Sequence, residues 1–143
     1  MCVLNCWTNV AVCCFFLMIR RPPRSTLFPY TKRGDLAAGK TTFVKKTAEF
    51  INIKDEVTSP TFSLQHCYEN KIFHYDMYNN GLDHFISLGM LEELEKEGLH
   101  FVEWGDDELA DILSSAGIDT MTIDIEKISD DKREYTVCTR TQD

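Results

Sequence analysis

Apolar and polar positions along the chain recur with two different periods. From Thr41 to Ile51 (TTFVKKTAEFI), Val44, Ala48 and Ile51 recur at helical spacing with Phe43, Thr47 and Phe50 beside them, which predicts an amphipathic helix. Asn52 to Pro60 is polar and ends in a Ser59-Pro60 turn signal. Phe62–Tyr68 and Ile72–Tyr78 flank Glu69-Asn70-Lys71 and read as the two strands of a hairpin. Asp83 has the chemistry of an N-cap for a helix running to about Glu97 and closed by Gly98. Leu99–Trp104 (LHFVEW) suits a buried strand, and Asp106–Ala116 a helix capped by Gly117. Met121, Ile123 and Ile125 then alternate with polar residues, the mark of a half-buried strand. Ser129-Asp130-Asp131 turns the chain into a last strand, Glu134–Thr139. There is no internal repeat. Strands interleaved with helices predict an α/β sheet with helices packed on it.

At 143 residues the chain is the size of one ordinary domain. Its formal charge of −8 argues against gripping nucleic acid by bulk charge. The average conceals a seam. Residues 1–33 carry five basic residues and no acidic one, whereas residues 34–143 carry ten basic against 23 acidic, a charge of −13. Cys2, Cys6, Cys13 and Cys14 fall in the first segment, leaving only Cys67 and Cys138 beyond it. Two isolated cysteines make no disulfide framework, so the main body reads as reduced and cytoplasmic.

The division is therefore 1–33, set apart, and 34–143, the functional domain. Phe15–Thr31 (FFLMIRRPPRSTLFPYT) resembles a translated sequencing-adapter read-through, which makes the first segment non-native. Two other readings stand beside it. The apolar run Cys2–Ile19 before Arg20-Arg21 has the order of a signal anchor, although Asn5, Thr8 and Asn9 interrupt it. A native soluble extension is the third.

The chemistry concentrates at Gly34-Asp35-Leu36-Ala37-Ala38-Gly39-Lys40-Thr41, which matches G-x-x-x-x-G-K-[ST]. Glycines let the backbone curl so that successive N–H groups converge on phosphate oxygens, and the helix starting here adds its positive end. Lys40 brings a mobile ammonium to the β- and γ-phosphates, and the Thr41 hydroxyl is placed for Mg²⁺. A buried strand should lead into such a loop. The chain offers Thr26–Arg33 instead, where Pro29, Lys32 and Arg33 are poor strand material. The expected fold is thus a P-loop NTPase-like sheet flanked by helices, with the N-terminal strand and helix missing or replaced.

Two carboxylates stand where such a loop can use them. Glu103 ends the apolar run Leu99–Val102, and Asp76 lies in His74-Tyr75-Asp76-Met77-Tyr78, again a strand-like run. On periodicity alone each is also an ordinary solvated strand-end acid. Trp104 suits either a core rim or a purine stack. Ser59-Pro60-Thr61-Phe62 is a turn in which Thr61 can sense a γ-phosphate. His66, His74, His84 and His100 have no zinc spacing with any cysteine pair and read as structural or exposed. The acidic runs Glu92–Glu97 and Asp106–Asp111 read as solvated helix faces.

GDLAAGKTTF, VTSPTFSL, HYDMY and FVEWGD, in that order, resemble the TsaE (YjeE) family. These are small bacterial P-loop ATPases needed to make threonylcarbamoyladenosine in tRNA next to the anticodon. The resemblance runs from Gly34 to about Arg140. It implies that Ala37, Ala38, Gly39, Lys40, Thr41 and Thr42 bind ATP, that Thr41 and Glu103 hold Mg²⁺, and that Asp76 serves hydrolysis. It further implies that Thr61 belongs to a switch-like segment and that Trp104 lies near the nucleotide. The implied partners are the transferase TsaD and TsaB, with tRNA reached only through that complex, in the cytoplasm and with no membrane. The chain departs from the family pattern at Ala37, where glycine is usual, and at Asn79, where arginine is usual. Two other function classes compete: a nucleotide-binding interaction module without hydrolysis, and a small-molecule kinase. The kinase needs an arginine-rich lid, and only Arg133 and Arg140 follow Arg33.

Overall fold

A computed structural model describes residues 2–6, 25–31 and 38–140, with side chains for 38–139. Strand β1 (Cys2–Cys6) and strand β2 (Ser25–Thr31) precede helix α1 (Lys40–Phe50). Strands β3 (Gln65–Tyr68) and β4 (Ile72–Asp76) form a hairpin, followed by two short helices, α2 (Gly81–Ser87) and α3 (Met90–Glu93). Strand β5 (Gly98–Gly105), helix α4 (Asp107–Ser115), β6 (Thr120–Lys127) and β7 (Arg133–Arg140) complete the chain. The seven strands make one sheet in the order β1-β7-β6-β2-β5-β4-β3. Its centre is parallel (β6, β2, β5, β4), and antiparallel strands lie at both edges.

Alternation along the central strands fills a core on each face. Ile72 and Phe101 point to the face covered by α1, where Phe43, Val44 and Ala48 meet Ile123, Ile125 and Tyr135. Phe73, Tyr75 and Val102 point to the other, where Phe85 of α2, Leu94, and Leu109 and Leu113 of α4 close over them. Both faces are covered, as a parallel sheet requires.

Several elements differ from the sequence reading. A strand does lead into the phosphate loop: β2 pairs parallel to β5 along most of its length. The ladder shifts register between Pro29 and Thr31, and pairing to β6 is confined to Leu27↔Thr120, so proline's missing N–H removes little. This strand comes from within residues 1–33. Of the apolar run Cys2–Ile19, positions 7–19 lie outside the described residues, and no helix among the described residues is long and apolar enough to cross a membrane.

The expected strand from Phe62 begins only at Gln65, because the Pro60 carbonyl accepts from both Ser63 N and Leu64 N in a turn. Phe62 is thereby left fully exposed. The single helix expected from Asp83 to Glu97 is two helices. Gly89 has φ +72° between them, and Asn80, not Asp83, stands at the N-cap position of the first, without a side-chain cap bond, while Asp83 falls in its first turn. Gly98 (φ +148°) opens β5 where a Cβ would meet the Phe73 ring at 2.9 Å and the Lys71 carbonyl at 3.0 Å, so only glycine fits.

Candidate functional site

Parallel pairing of β4 with β5 sets Asp76 opposite Glu103, so two carboxylates emerge side by side at the carboxyl ends of these strands. α1 begins beside them. Its N-cap Gly39 has φ +107°, makes no side-chain cap, and is followed by a first turn without an acidic residue. α4 is built the opposite way: Asp106 caps it through Leu109 N, and Asp107 and Glu108 fill its first turn. One helix neutralises its own positive end, and the other leaves that end for an anion.

The opening between these elements is a cavity of about 500 Å³. Gly39, Lys40, Thr41 and Thr42 line one side, Ser59, Thr61 and Phe62 another, and Asp76, Tyr78, Asn79, Glu103 and Trp104 the strand ends. The volume lies within the ordinary range for a small-molecule site, and the location is the crevice where open parallel sheets bind ligands.

The polar groups are tied in two chains. Thr41 Oγ1 donates to Glu103 Oε1 at 2.9 Å, and His74 Nε2 reaches the same oxygen at 2.8 Å. Thr61 Oγ1 donates to Asp76 Oδ2 at 2.7 Å, and Tyr78 N donates to Asp76 Oδ1 at 2.8 Å. Ser59 Oγ lies 2.7 Å from Thr61 Oγ1. Asp76 and Glu103 are each only 4% exposed, yet among the described residues no lysine or arginine is bonded to either. Two buried carboxylates so close together favour a cation between them and the cavity.

Lys40 is itself buried, its Nζ 3.9 Å from the centre of the Trp104 ring. Trp104 takes up a left-handed backbone (φ +63°), and Tyr78 packs on it with ring centres 4.9 Å apart. A bulky residue held at positive φ is strained, and such strain concentrates at functional sites. Here it turns the indole over the ammonium, a cation–π contact at the cavity wall.

Of the residues singled out from sequence, Gly39, Lys40, Thr41, Thr42, Thr61, Asp76, Glu103 and Trp104 meet in this cavity. Ala38 does not line it. Its side chain lies in the core under α1, and its carbonyl accepts from Arg133 Nε at 3.0 Å. Ala37 lies outside the described residues. Sequence reasoning missed His74, whose signal was its place two residues before Asp76 on the same strand face. It also missed Arg133, which reaches the loop from 95 residues away and had no local signal.

A family model described as threonylcarbamoyl adenosine biosynthesis protein TsaE matches residues 22–135. The chain belongs to the TsaE family. The match starts upstream of Gly34 and so takes in β2. Among relatives of this TsaE-family chain is the tRNA threonylcarbamoyladenosine biosynthesis protein TsaE of Treponema pallidum, 36% identical over 108 residues, covering 73% of this chain and 77% of that one. The protein of the same name from Bacillus subtilis is 35% identical over 112 residues, covering 74% of this chain and 66% of its own length. A crystal structure of Bacillus subtilis YdiB superposes with a TM-score of 0.65 at 24% identity, covering 99% of this chain and 86% of that one, which establishes the shared fold.

Proposed function

We propose that this chain binds ATP with Mg²⁺ and hydrolyses it as the ATPase subunit for threonylcarbamoyladenosine modification of tRNA. It would act in the cytoplasm on a TsaD-type transferase and a TsaB-type partner. Membership of the TsaE family supports the pathway. The observation that carries the chemistry is one cavity lined by Lys40 and Thr41, at a helix start with no side-chain cap, and by two buried carboxylates, one of them bonded to Thr41.

The donor set suits Mg²⁺. Thr41, Glu103 and Asp76 offer hard oxygens, and no group of three or more acidic, histidine or cysteine side chains among the described residues forms a cage. Mg²⁺ keeps several waters and uses one or two carboxylates plus substrate phosphates, so a sparse oxygen set is what it needs. Thr41 and Glu103 would hold the ion, which would neutralise the charge that develops on the phosphates during transfer.

The remaining work falls to the chain. Lys40 leaves the Trp104 face and pairs with phosphate oxygens, while the N–H groups at the start of α1 donate to them. Thr41 keeps its proton directed at Glu103, so its lone pairs face outward. Asp76 Oδ1 is held by the Tyr78 amide, which leaves Oδ2, now covered by Thr61, as the oxygen that faces the reaction. When Thr61 turns away, Oδ2 accepts a hydrogen bond from the attacking water and orients it for in-line displacement. Phe62 and Tyr78 border the mouth, where a base can stack.

The acidic body bears no basic stripe that would neutralise phosphates, so contact with tRNA runs through the partners. Phosphate release from ATP by the full chain, alone and with TsaD- and TsaB-type proteins, tests the reading. Turnover that rises with the partners supports it. ATP binding without turnover under both conditions rejects hydrolysis in favour of a binding module.

A further inference from the structure

His74 lies at the middle of β4, fully buried, with the Glu103 carboxylate on Nε2 and no partner for Nδ1 among the described residues. A buried histidine placed for packing alone would satisfy both nitrogens. The neighbouring His100 does so, through the Tyr75 hydroxyl at 3.1 Å and the Lys96 carbonyl at 2.7 Å. His74 forgoes one partner and spends the other on the oxygen that also receives Thr41.

We infer that His74 is the positioning residue of the metal site: it fixes which Glu103 oxygen faces Thr41 and prevents that carboxylate from swinging. The inference rests on the Mg²⁺ reading of Thr41 and Glu103 given above. Three side chains from three elements meet on one atom. Thr41 comes from the first turn of α1, Glu103 from the end of β5, and His74 from the strand beside it. A glutamate has three rotatable side-chain bonds and costs conformational entropy to fix. The imidazole is rigid and anchored in the sheet, so it absorbs that cost in the folded state before any ligand arrives. Thr41 then finds its acceptor already in place, with its own lone pairs turned to the cavity. Groups that orient metal-ligating side chains in this way commonly change metal affinity by about tenfold or more when removed.

The test is calorimetric titration of the full chain with ATP, in EDTA and across a Mg²⁺ series, with thermal melts alongside. His74→Asn keeps a small polar side chain but cannot reach Glu103, whereas His74→Gln places an amide N–H near the position of Nε2. The expected result for H74N is unchanged ATP affinity in EDTA, with about tenfold more Mg²⁺ needed for half of the Mg²⁺-dependent gain. H74Q should return to within about threefold of wild type. A purely structural histidine would lower melting temperature and EDTA affinity in both variants without separating their Mg²⁺ curves, and that outcome overturns the inference. So does a wild-type Mg²⁺ curve in H74N. If wild-type affinity itself ignores Mg²⁺, the metal reading of Thr41 and Glu103 fails, and the inference fails with it. If both variants unfold, imidazole ¹⁵N NMR of the wild-type chain during the Mg²⁺ titration with ATP provides the check: the His74 Nε2 signal should move along the Mg²⁺ curve, and a signal that stays put overturns the inference.

Discussion

Glu103→Gln separates what this carboxylate does for folding from what it does for chemistry. Glu103 Oε1 accepts from Thr41 at 2.9 Å and from His74 at 2.8 Å, and a glutamine carbonyl oxygen can accept both. Hydrogen bonds to a charged group contribute about 1.5–3 kcal/mol and neutral ones about 0.5–1.5, so the two bonds weaken by about 2 kcal/mol together. Against that, the side chain is 4% exposed and sits opposite Asp76 on the paired strand. Removing the charge relieves desolvation and like-charge repulsion of comparable size or larger. The nucleotide-free variant should therefore melt within about 4 °C of wild type, or above it, since 1 kcal/mol corresponds to about 4 °C in a domain of this size. ATP affinity in EDTA should stay within about threefold, while the Mg²⁺ needed for the Mg²⁺-dependent gain rises and turnover with partners falls, each by at least about tenfold. Thermal melts without ligand and phosphate release with partners measure the two effects. A melting temperature more than about 4 °C lower, with turnover intact, would refute the reasoning and make Glu103 a structural acid.

Asp106→Ala removes the side-chain cap on Leu109 N and should cost about 1 kcal/mol of stability, seen in denaturant titration, with ATP affinity unchanged. Gly98→Ala forces a Cβ to 2.9 Å from the Phe73 ring at φ +148° and should cost about 1–3 kcal/mol by the same assay; a neutral result contradicts the close approach. Burial holds His100 below its ordinary pKa of 6.5, so the unfolded chain binds more protons as pH falls through that value. Stability should therefore be level above about pH 6.5 and fall below it, and His100→Gln should flatten that limb. The lysine-paired Glu93 and Asp130, whose carboxyls sit below their ordinary range, contribute stability that is lost only at lower pH.

What was legible in the sequence was local. Lys40 and Thr41 stand out because a phosphate loop needs its donors contiguous, whereas Glu103, a carboxylate ending an apolar strand, reads from periodicity equally as a solvated strand-end acid. The helix after the loop was read to within a residue at each end. The break at Gly89 was missed because a run of good helix formers outweighed one glycine, until its positive φ divided the run. The strand before the loop was missed because Pro29 argues against a central strand, and only the three-dimensional register shows how little pairing it forfeits. His74 and Arg133 act on Glu103 and Ala38 across 29 and 95 residues, and no spacing rule reaches that far.

The central claim is that the loop and its lysine bind a nucleoside triphosphate, and calorimetry of the full chain with ATP and Mg²⁺ tests it most directly. Lys40 stacks its ammonium on the Trp104 ring, and charge-assisted bonds to phosphate are stronger than a cation–π contact, so they should dominate its contact with the ligand. Wild type should bind, and Lys40→Ala should lose about ten- to hundredfold in affinity with its melting temperature little changed. Equal affinity in wild type and K40A, at equal stability, would contradict the account.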